Sequence, residues 1–560
     1  MALLFINGII VVMDIKKELQ KVFRGNLKTD DKTKEFYSHD ASLFELVPEI
    51  VGFPKDAKDL QAVVSFVNQH KKEHPMLSIT PRSAGTDMSG GAIGQSIVLD
   101  MTKHMGNARK VNESEAHLQP GVFFRQLDIV TEQLDVMLPC YPASRGLCTV
   151  GGMVANNSGG EKSLEYGKTD NFVNELKVVL ADSKEYTVKP LNRQQLVRKM
   201  SQQDFEGRLY KRTFELLEKN YDVIQAAKPN VTKDSTGYHL WDIWNRETGI
   251  FDLTKLFVGS QGTLGIISDI KFRLVPRPKY SGVLVGYLKD IKPLGKIVPL
   301  VLSHKPATFE CFDDNTLKLI FRFFPDFLQR LGLVKWIALG FGLIPSGLGL
   351  LKGMPKLILM VEFNGNSVEE INDKIEDLKK DLKVFPFSYL EKDETEEKAE
   401  KFWIMRRESF SMLRSKVKDK HTAPFIDDFV VPPKNLAAFL PKLQKIIKKY
   451  KLHSTIAGHL GDGNFHVIPL MQIEDPKERA KLIPAQKEVN ELVMRYDGSI
   501  SGEHNDGLVR GPWLEEMYGK KVFGLMQDIK KMYDPDNIFN PHKKTDATWE
   551  FSFNHVRKNF

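Results

Sequence analysis

Cysteine is scarce in this chain: Cys140, Cys148 and Cys311 are the only three among 560 residues. Three scattered thiols form no disulfide framework, no paired metal spacing and no iron–sulfur ligand run. They fit a reducing compartment, and they exclude an internal cluster as a route for electrons. Long apolar runs are missing too. One apolar stretch, Trp336 to Leu351, is broken by Pro345 and by glycines, and it falls short of the ~20 residues that span a bilayer. Lys335, Lys352 and Lys356 flank it. It reads as a core or lid segment, with interfacial membrane contact as the sharper alternative. The apolar start Met1-Ala2-Leu3-Leu4-Phe5-Ile6 lacks a basic flank and a small-residue cleavage site, so it makes a poor secretory signal. Met13 offers a second start, just ahead of an amphipathic helix. No sign of charge dominates, because 80 Lys+Arg face 72 Asp+Glu and leave a net +8. Lysines stand beside carboxylates, as in Lys374-Ile375-Glu376-Asp377, which is a solvated helix face and not a nucleic-acid stripe. These absences place the protein in the cytoplasm, at most peripheral at the inner face of the membrane.

What is present begins near the C-terminal end. Gly458-His459-Leu460-Gly461-Asp462-Gly463-Asn464-Phe465-His466 is followed by Ser501-Gly502-Glu503-His504. Two His and one carboxylate suit a divalent transition metal and leave positions open for substrate. The intervening glycines permit a sharp turn that aims both rings into one space. Structural zinc wants four closed ligands with cysteines, and no cysteine lies nearby. A lone His would read as a hydrogen-bonded structural residue; four such groups in two glycine-punctuated segments read as a site.

The N-terminal half carries three glycine clusters. The first is the loop Pro81-Arg82-Ser83-Ala84-Gly85-Thr86-Asp87-Met88-Ser89-Gly90-Gly91, between strand-like Met76 to Thr80 and Ser96 to Leu99. Such a loop turns backbone N–H groups toward an anion. No Gly-Lys-Ser/Thr follows and no helix opens from it, so it is neither a Walker loop nor a Rossmann fingerprint. Ahead of it, Leu60, Val63, Val64 and Val67 repeat at helical spacing. The second cluster runs from Gly151 to Gly160, and the third is Gly259-Ser260-Gln261-Gly262-Thr263-Leu264-Gly265-Ile266-Ile267. Each alone could be a structural turn. Together they suggest a long, polyphosphate-bearing cofactor.

In this order the three clusters resemble the FAD-binding domain of the vanillyl-alcohol oxidase / p-cresol methylhydroxylase superfamily. The two C-terminal motifs, with Asn540-Pro541-His542-Lys543, resemble its D-lactate dehydrogenase / glycolate oxidase / D-2-hydroxyglutarate dehydrogenase branch. The resemblance covers roughly residues 40 to 545 and its motif combination is highly specific. It implies an α+β protein: a two-subdomain PCMH-type FAD-binding domain over 46–280 and an α+β cap domain with an antiparallel sheet over 281–504. An N-terminal segment, 1–45, precedes these, and 505–560 returns to the FAD domain. Residues 191 to 250 read as a helical insertion. Strand-like runs at Val283 to Tyr287, Leu357 to Val361 and Phe425 to Val431 alternate with helices at Val368 to Leu382 and Leu436 to Tyr450.

The resemblance also implies roles. Arg82, Ser83, Ala84, Gly85, Thr86 and Ser89 would cradle the FAD pyrophosphate. Gly151, Gly152, Asn157, Ser158 and Gly159 would lie along the flavin, with Pro142 and Ser144 ahead of them. Ile267 and Lys543 complete the cofactor set. The first loop lacks the His that relatives with covalent flavin carry, so the FAD is expected to be non-covalent. Gln261 replaces a Glu, and His542 replaces a Gly at a position expected near the flavin edge. His459, His466 and Glu503 match metal ligands, for Zn or Mn, and His504 matches the catalytic base. Arg406, in Trp403-Ile404-Met405-Arg406, matches the residue that holds the substrate carboxylate; a guanidinium suits it. Phe410 and Ile426 stand where the hydroxyglutarate branch has Thr and Lys, which disfavours a dicarboxylate. The expected activity is oxidation of a D-lactate-like D-2-hydroxy acid by FAD. The alternatives are the flavin subunit of a glycolate-oxidase-like complex and a non-catalytic FAD-binding subunit. The related alkyl transferase of plasmalogen synthesis relies on a run of histidines that is missing here. Expected electron acceptors are a quinone, a cytochrome or a separate iron–sulfur protein.

Overall fold

The computed structural model describes residues 3–6, 9–12, 14–314, 316, 355–393, 403 and 420–558. Arg406, Phe410 and the stretch Trp336 to Leu351 lie outside the described residues. The chain opens with a hairpin, Leu3–Ile6 against Ile9–Val12. A helix, Ile15–Gln20, follows, and the Asp14 side chain caps its N-terminus by accepting from Lys17 N.

The first cluster sits in a four-stranded sheet ordered Asn26–Lys28, Ile50–Phe53, Ile97–Asp100, Ile79–Arg82. The last three strands are parallel. Parallel neighbours need a crossover, and the helix Ala57–His70 supplies one. Its Leu60, Val63, Val64 and Val67 are fully buried against Ile50, Ile79 and Ile97. The first glycine loop therefore leaves the C-terminal end of Ile79–Arg82, where backbone donors collect outside a parallel sheet.

The second sheet is antiparallel, ordered Glu185–Val188, Val173–Val179, Ile266–Arg273, Glu115–Leu118, Ala108–Val111. Helices Arg193–Met200, Phe205–Lys219 and Tyr221–Ala226 occupy the expected insertion. The long helix Leu514–Tyr533 packs its Tyr518, Met526 and Tyr533 into the core of this second unit. Phe539 then bridges in parallel to Ile79 of the first sheet.

The third sheet has eight strands among the described residues. Its main path is Phe387–Asp393, Tyr280–Leu288, Leu357–Gly365, Thr308–Asp313, His453–His459, Asn464–Met471, His421–Thr422, all antiparallel, and Phe429–Val430 also pairs with Asn464–Met471. Helices Val368–Leu382 and Leu436–Lys449 cover it with the apolar stripes Ile371/Ile375/Leu378 and Leu436/Phe439/Leu443. One expectation fails here. Phe425 to Val431 is not a continuous strand, because Asp428 takes a left-handed φ of 67° and only Phe429–Val430 pairs. That break turns two adjacent carboxylates inward.

Candidate active site

The strands His453–His459 and Asn464–Met471 form a tight hairpin whose turn is Leu460–Asp462 followed by Gly463 at φ 69°. A side chain at Gly463 would run into the Val431 carbonyl, so this turn needs glycine on two counts. The register sets Ala457 opposite His466 and Thr455 opposite Ile468. Side chains alternate along a strand, so Thr455, Ala457 and His459 share one face. His459 and His466 thus converge, ring centroids 5.5 Å apart and nearly perpendicular at 84°.

Glu503 meets them. Its Oε2 lies 3.4 Å from His459 Nε2, and its Oε1 lies 3.3 Å from His466 Nε2 and 3.7 Å from His504 Nε2. Each ring presents its other nitrogen to a buried carboxylate. His459 Nδ1 is 2.6 Å from Glu310, while His466 Nδ1 and His504 Nδ1 are 3.1 and 3.0 Å from the two oxygens of Asp427. A carboxylate on Nδ1 fixes the tautomer and turns the Nε2 lone pair outward, the usual arrangement behind a metal-binding imidazole. Burial alone would lower the basicity of His466, but Asp427 and Glu503 outweigh it and push its pKa up to about 10. His504 is likewise raised against burial by Asp428 and Asp427. Burial would raise Glu503, yet Lys233 and His459 hold it well below the ordinary carboxylate range. The cluster therefore draws either protons or a cation onto its Nε2 atoms.

Asp428 also falls near His466, Glu503 and His504, close enough to share a cation with them. Its oxygens are committed elsewhere. They accept from the backbone N–H of Gly502, Glu503 and His504 and from Ser501 Oγ, so Asp428 shapes the Ser-Gly-Glu-His turn. Lys233 is the other neighbour not expected from sequence. Its ammonium is buried and lies 3.3 Å from Glu503 Oε2, 3.6 Å from Asp462 Oδ2 and 3.2 Å from the Gly160 carbonyl.

This cluster lines a cavity of about 1160 Å³. Of the residues singled out in the sequence, Arg82 to Thr86, Pro142, Ser144, Gly151, Gly152, Ser158 and Ile267 line it together with His459, His466, Glu503 and His504. Ser89, Asn157, Gly159 and Lys543 do not line it. Ser89 Oγ donates to Asp87, Asn157 accepts from Asp170 N, and Gly159 packs against Ser163 and Lys168. Lys543 donates to the Pro541 carbonyl, with burial pushing its pKa down to about 8. His542 stacks on Phe551 at 3.8 Å, so the expected effect on the flavin edge does not arise from contact with this cavity. Ile426 is buried in the core of the third sheet and also does not line the cavity.

The cavity walls fit a dinucleotide. Arg82 is a buried guanidinium, lies over the Tyr37 ring at 5.2 Å, and has no carboxylate within ion-pair distance among the described residues. Such a cation is suited to a phosphate. Gly85, at φ 69°, leaves room for that guanidinium. Thr149, not expected from sequence, lines the cavity with a buried hydroxyl that has no partner among the described residues. The third glycine cluster docks on the second through Gly259 N to Val154 O, 2.8 Å, and Gln261 N to Ala155 O, 2.9 Å. That contact makes one wall from segments about a hundred residues apart.

Comparison with known families agrees with this geometry. The FAD binding domain matches residues 48–189, and the C-terminal domain of FAD linked oxidases matches residues 277–544. The chain thus carries both domains of the FAD-linked oxidases. It is 28% identical to a D-2-hydroxyglutarate dehydrogenase of Pseudomonas putida over 93% of its length, but spans only 50% of that relative. It is also 28% identical to the glycolate oxidase subunit GlcD of Bacillus subtilis, covering 95% of this chain and 97% of that one. A mitochondrial D-lactate dehydrogenase [cytochrome] of Arabidopsis thaliana is 23% identical, with 95% and 80% covered. Among solved structures, 4-ethylphenol oxidase from Gulosibacter chungangensis superposes with TM-score 0.68 at 15% identity, covering 96% of this chain and 98% of that one. p-Cresol methylhydroxylase gives 0.64 at 16% identity with the same coverage. The fold is therefore of the PCMH type, and the chain carries an FAD-binding domain. Among the described residues, no helix is long and apolar enough to cross a membrane.

Proposed function

We propose that this protein oxidises a D-lactate-like D-2-hydroxy acid to the 2-oxo acid, with non-covalent FAD and a divalent cation, Zn or Mn, held by His459, His466 and Glu503. One observation carries the reading: a single cavity joins the glycine-rich FAD wall to a two-histidine, one-carboxylate cluster backed by Glu310 and Asp427. Bound FAD supplies a hydride acceptor at flavin N5, and the cation supplies Lewis acidity toward the substrate hydroxyl. His504, oriented by Asp427, takes the hydroxyl proton at Nε2. A cation beside it would repel an imidazolium proton and so leave that nitrogen free to accept one. Arg406 is proposed to hold the substrate carboxylate. Thr422, Thr455, Ala457 and Ile468 continue the cavity wall beyond His466. The hydroxyl and apolar groups of this part of the wall support a small, uncharged substituent at C2.

Reduced FAD must pass its electrons to a partner: a quinone, a cytochrome or a separate iron–sulfur protein. A glycolate-oxidase-like flavin subunit is the second reading, favoured by the near full-length match to the Bacillus subtilis subunit. Anaerobic flavin bleaching across D- and L-lactate, glycolate and D-2-hydroxyglutarate tests both. D-lactate is expected to bleach fastest, and chelation or Glu503→Gln to abolish bleaching while FAD stays bound. Bleaching by glycolate alone would favour the second reading, and undiminished bleaching in metal-free protein would remove the cation.

A further inference from the structure

Asp427 has no side-chain exposure, yet its two oxygens serve two imidazoles from different segments. Oδ1 meets His466 Nδ1 at 3.1 Å, and Oδ2 meets His504 Nδ1 at 3.0 Å. The two rings stack with centroids 5.1 Å apart and planes 25° from parallel. His459 has its own carboxylate, Glu310, at 2.6 Å. Asp427 is itself firmly placed. Arg510 Nη2 donates to its backbone carbonyl at 2.7 Å, and the next residue, Asp428, accepts from the N–H groups that carry Glu503 and His504.

We propose that Asp427 is a positioning residue shared by the cation site and the proton acceptor, whereas Glu310 faces His459 and no second imidazole among the described residues. This rests on the roles proposed above for His459, His466, Glu503 and His504. The chemistry of the carboxylate makes the sharing specific. Oδ1 pairs with His466 Nδ1, while Oδ2 lies 3.0 Å from His504 Nδ1 as a close charge contact off the hydrogen-bond line, so the carboxylate favours a proton on both Nδ1 atoms and a bare Nε2 on each ring. An amide at position 427 has one oxygen and one NH2 group. It serves one ring as before and donates to the other, which then carries its proton on Nε2 and loses its lone pair there. An amide at position 310 faces one imidazole only, and its oxygen can still accept from it. The two carboxylates thus predict different losses.

The test uses the FAD-loaded full chain and its Glu310→Gln and Asp427→Asn variants. Zn²⁺ and Mn²⁺ affinity is measured by competition with a chelating dye, without substrate. Flavin bleaching by D-lactate is then followed by rapid mixing at saturating metal. Glu310→Gln is expected to weaken metal about 10-fold, within the usual range for a carboxylate behind a metal-binding His, and to recover its bleaching rate in excess metal. Asp427→Asn is expected to stay slow by about 100-fold in excess metal, the scale of a lost proton acceptor, with its D-lactate KM little changed. Asp427→Glu, which restores two acceptor oxygens, should recover part of both losses. Full rescue of Asp427→Asn by metal would overturn the sharing, and unchanged affinity and rate would leave Asp427 a packing residue. If Asp427→Asn does not retain FAD, Asp427→Glu alone reads the same two quantities, and wild-type values for it would overturn the proposal. A wild-type chain that binds neither metal refutes the His466 half. A wild-type chain bleached by none of the acids refutes the proposed function instead, and the metal titration still decides the His466 half.

Discussion

Lys233 places an unpaired-looking lysine of the sequence where it matters most, against the carboxylate that faces all three histidines. Its partners, Glu503, Asp462 and the Gly160 carbonyl, come from three separate segments. Removing one member of a buried ion pair costs about 3–5 kcal/mol, because the other charge stays buried. Lys233→Met is expected to lower unfolding free energy in urea by about 3 kcal/mol; a loss below about 1 kcal/mol would show that water or another cation replaces the ammonium. A second buried group works in the opposite sense. Burial, reinforced by Asp87, pushes the Asp40 carboxyl up to about 7. The unfolded chain releases that proton near 3.9, so the folded chain binds more protons between about pH 4 and 7. Stability contributed by protonated Asp40 therefore falls as pH rises through that window. Asp40→Asn should flatten this part of the melting-temperature profile and stabilise the protein most above pH 7; an unchanged slope would assign it to other groups. The histidines and Glu503 were legible because glycines frame them at close spacing. Lys233, Glu310 and Asp427 were not, because their roles exist only after residues far apart in sequence meet. The one local trace was an acidic pair, Asp427-Asp428, inside an otherwise apolar run.

Elements with clear periodicity matched their sequence signal. Val368–Leu382 buries a stripe at helical spacing, and Ala57–His70 buries Leu60, Val63, Val64 and Val67 as its spacing predicts. Phe425 to Val431 misled because composition alone suggests a strand, whereas the left-handed Asp428 splits it. The hairpin His453–His459 and Asn464–Met471 was half legible. Its glycines announced a turn, but only pairing shows that Gly463 faces the Val431 carbonyl beside that split run. The two segments therefore fix each other. Gly463→Ala combines a positive φ with that clash, and such strain costs of order 1–3 kcal/mol. It is expected to lower thermal stability and to weaken metal binding more than FAD binding, since the turn carries His459 and His466. Equal loss of both, measured by metal competition and by flavin absorbance, would mean that the whole cavity has shifted.

At the scale of the molecule, the first two sheets carry the glycine-rich wall and the third carries His459 and His466, and one cavity spans both. That division was visible in the order of the motifs, though the contacts that close it were not. It also bears on how FAD is held. A covalent link needs a nucleophile on the cavity wall. The first loop, from Pro81 to Gly91, has no His. Cys148 lines the cavity, but burial pushes its thiol up to about 12, and a thiol attacks as the thiolate. His39 also lines the wall, outside the first loop. Arg82, Thr149 and the glycine-loop N–H groups offer the non-covalent contacts proposed to hold the cofactor. Acid precipitation of the yellow protein is therefore expected to leave the flavin in the supernatant and a colourless pellet. Flavin fluorescence that stays with the denatured chain in gel electrophoresis would instead place a covalent bond on the wall, with His39 and Cys148 as the first positions to map by peptide mass.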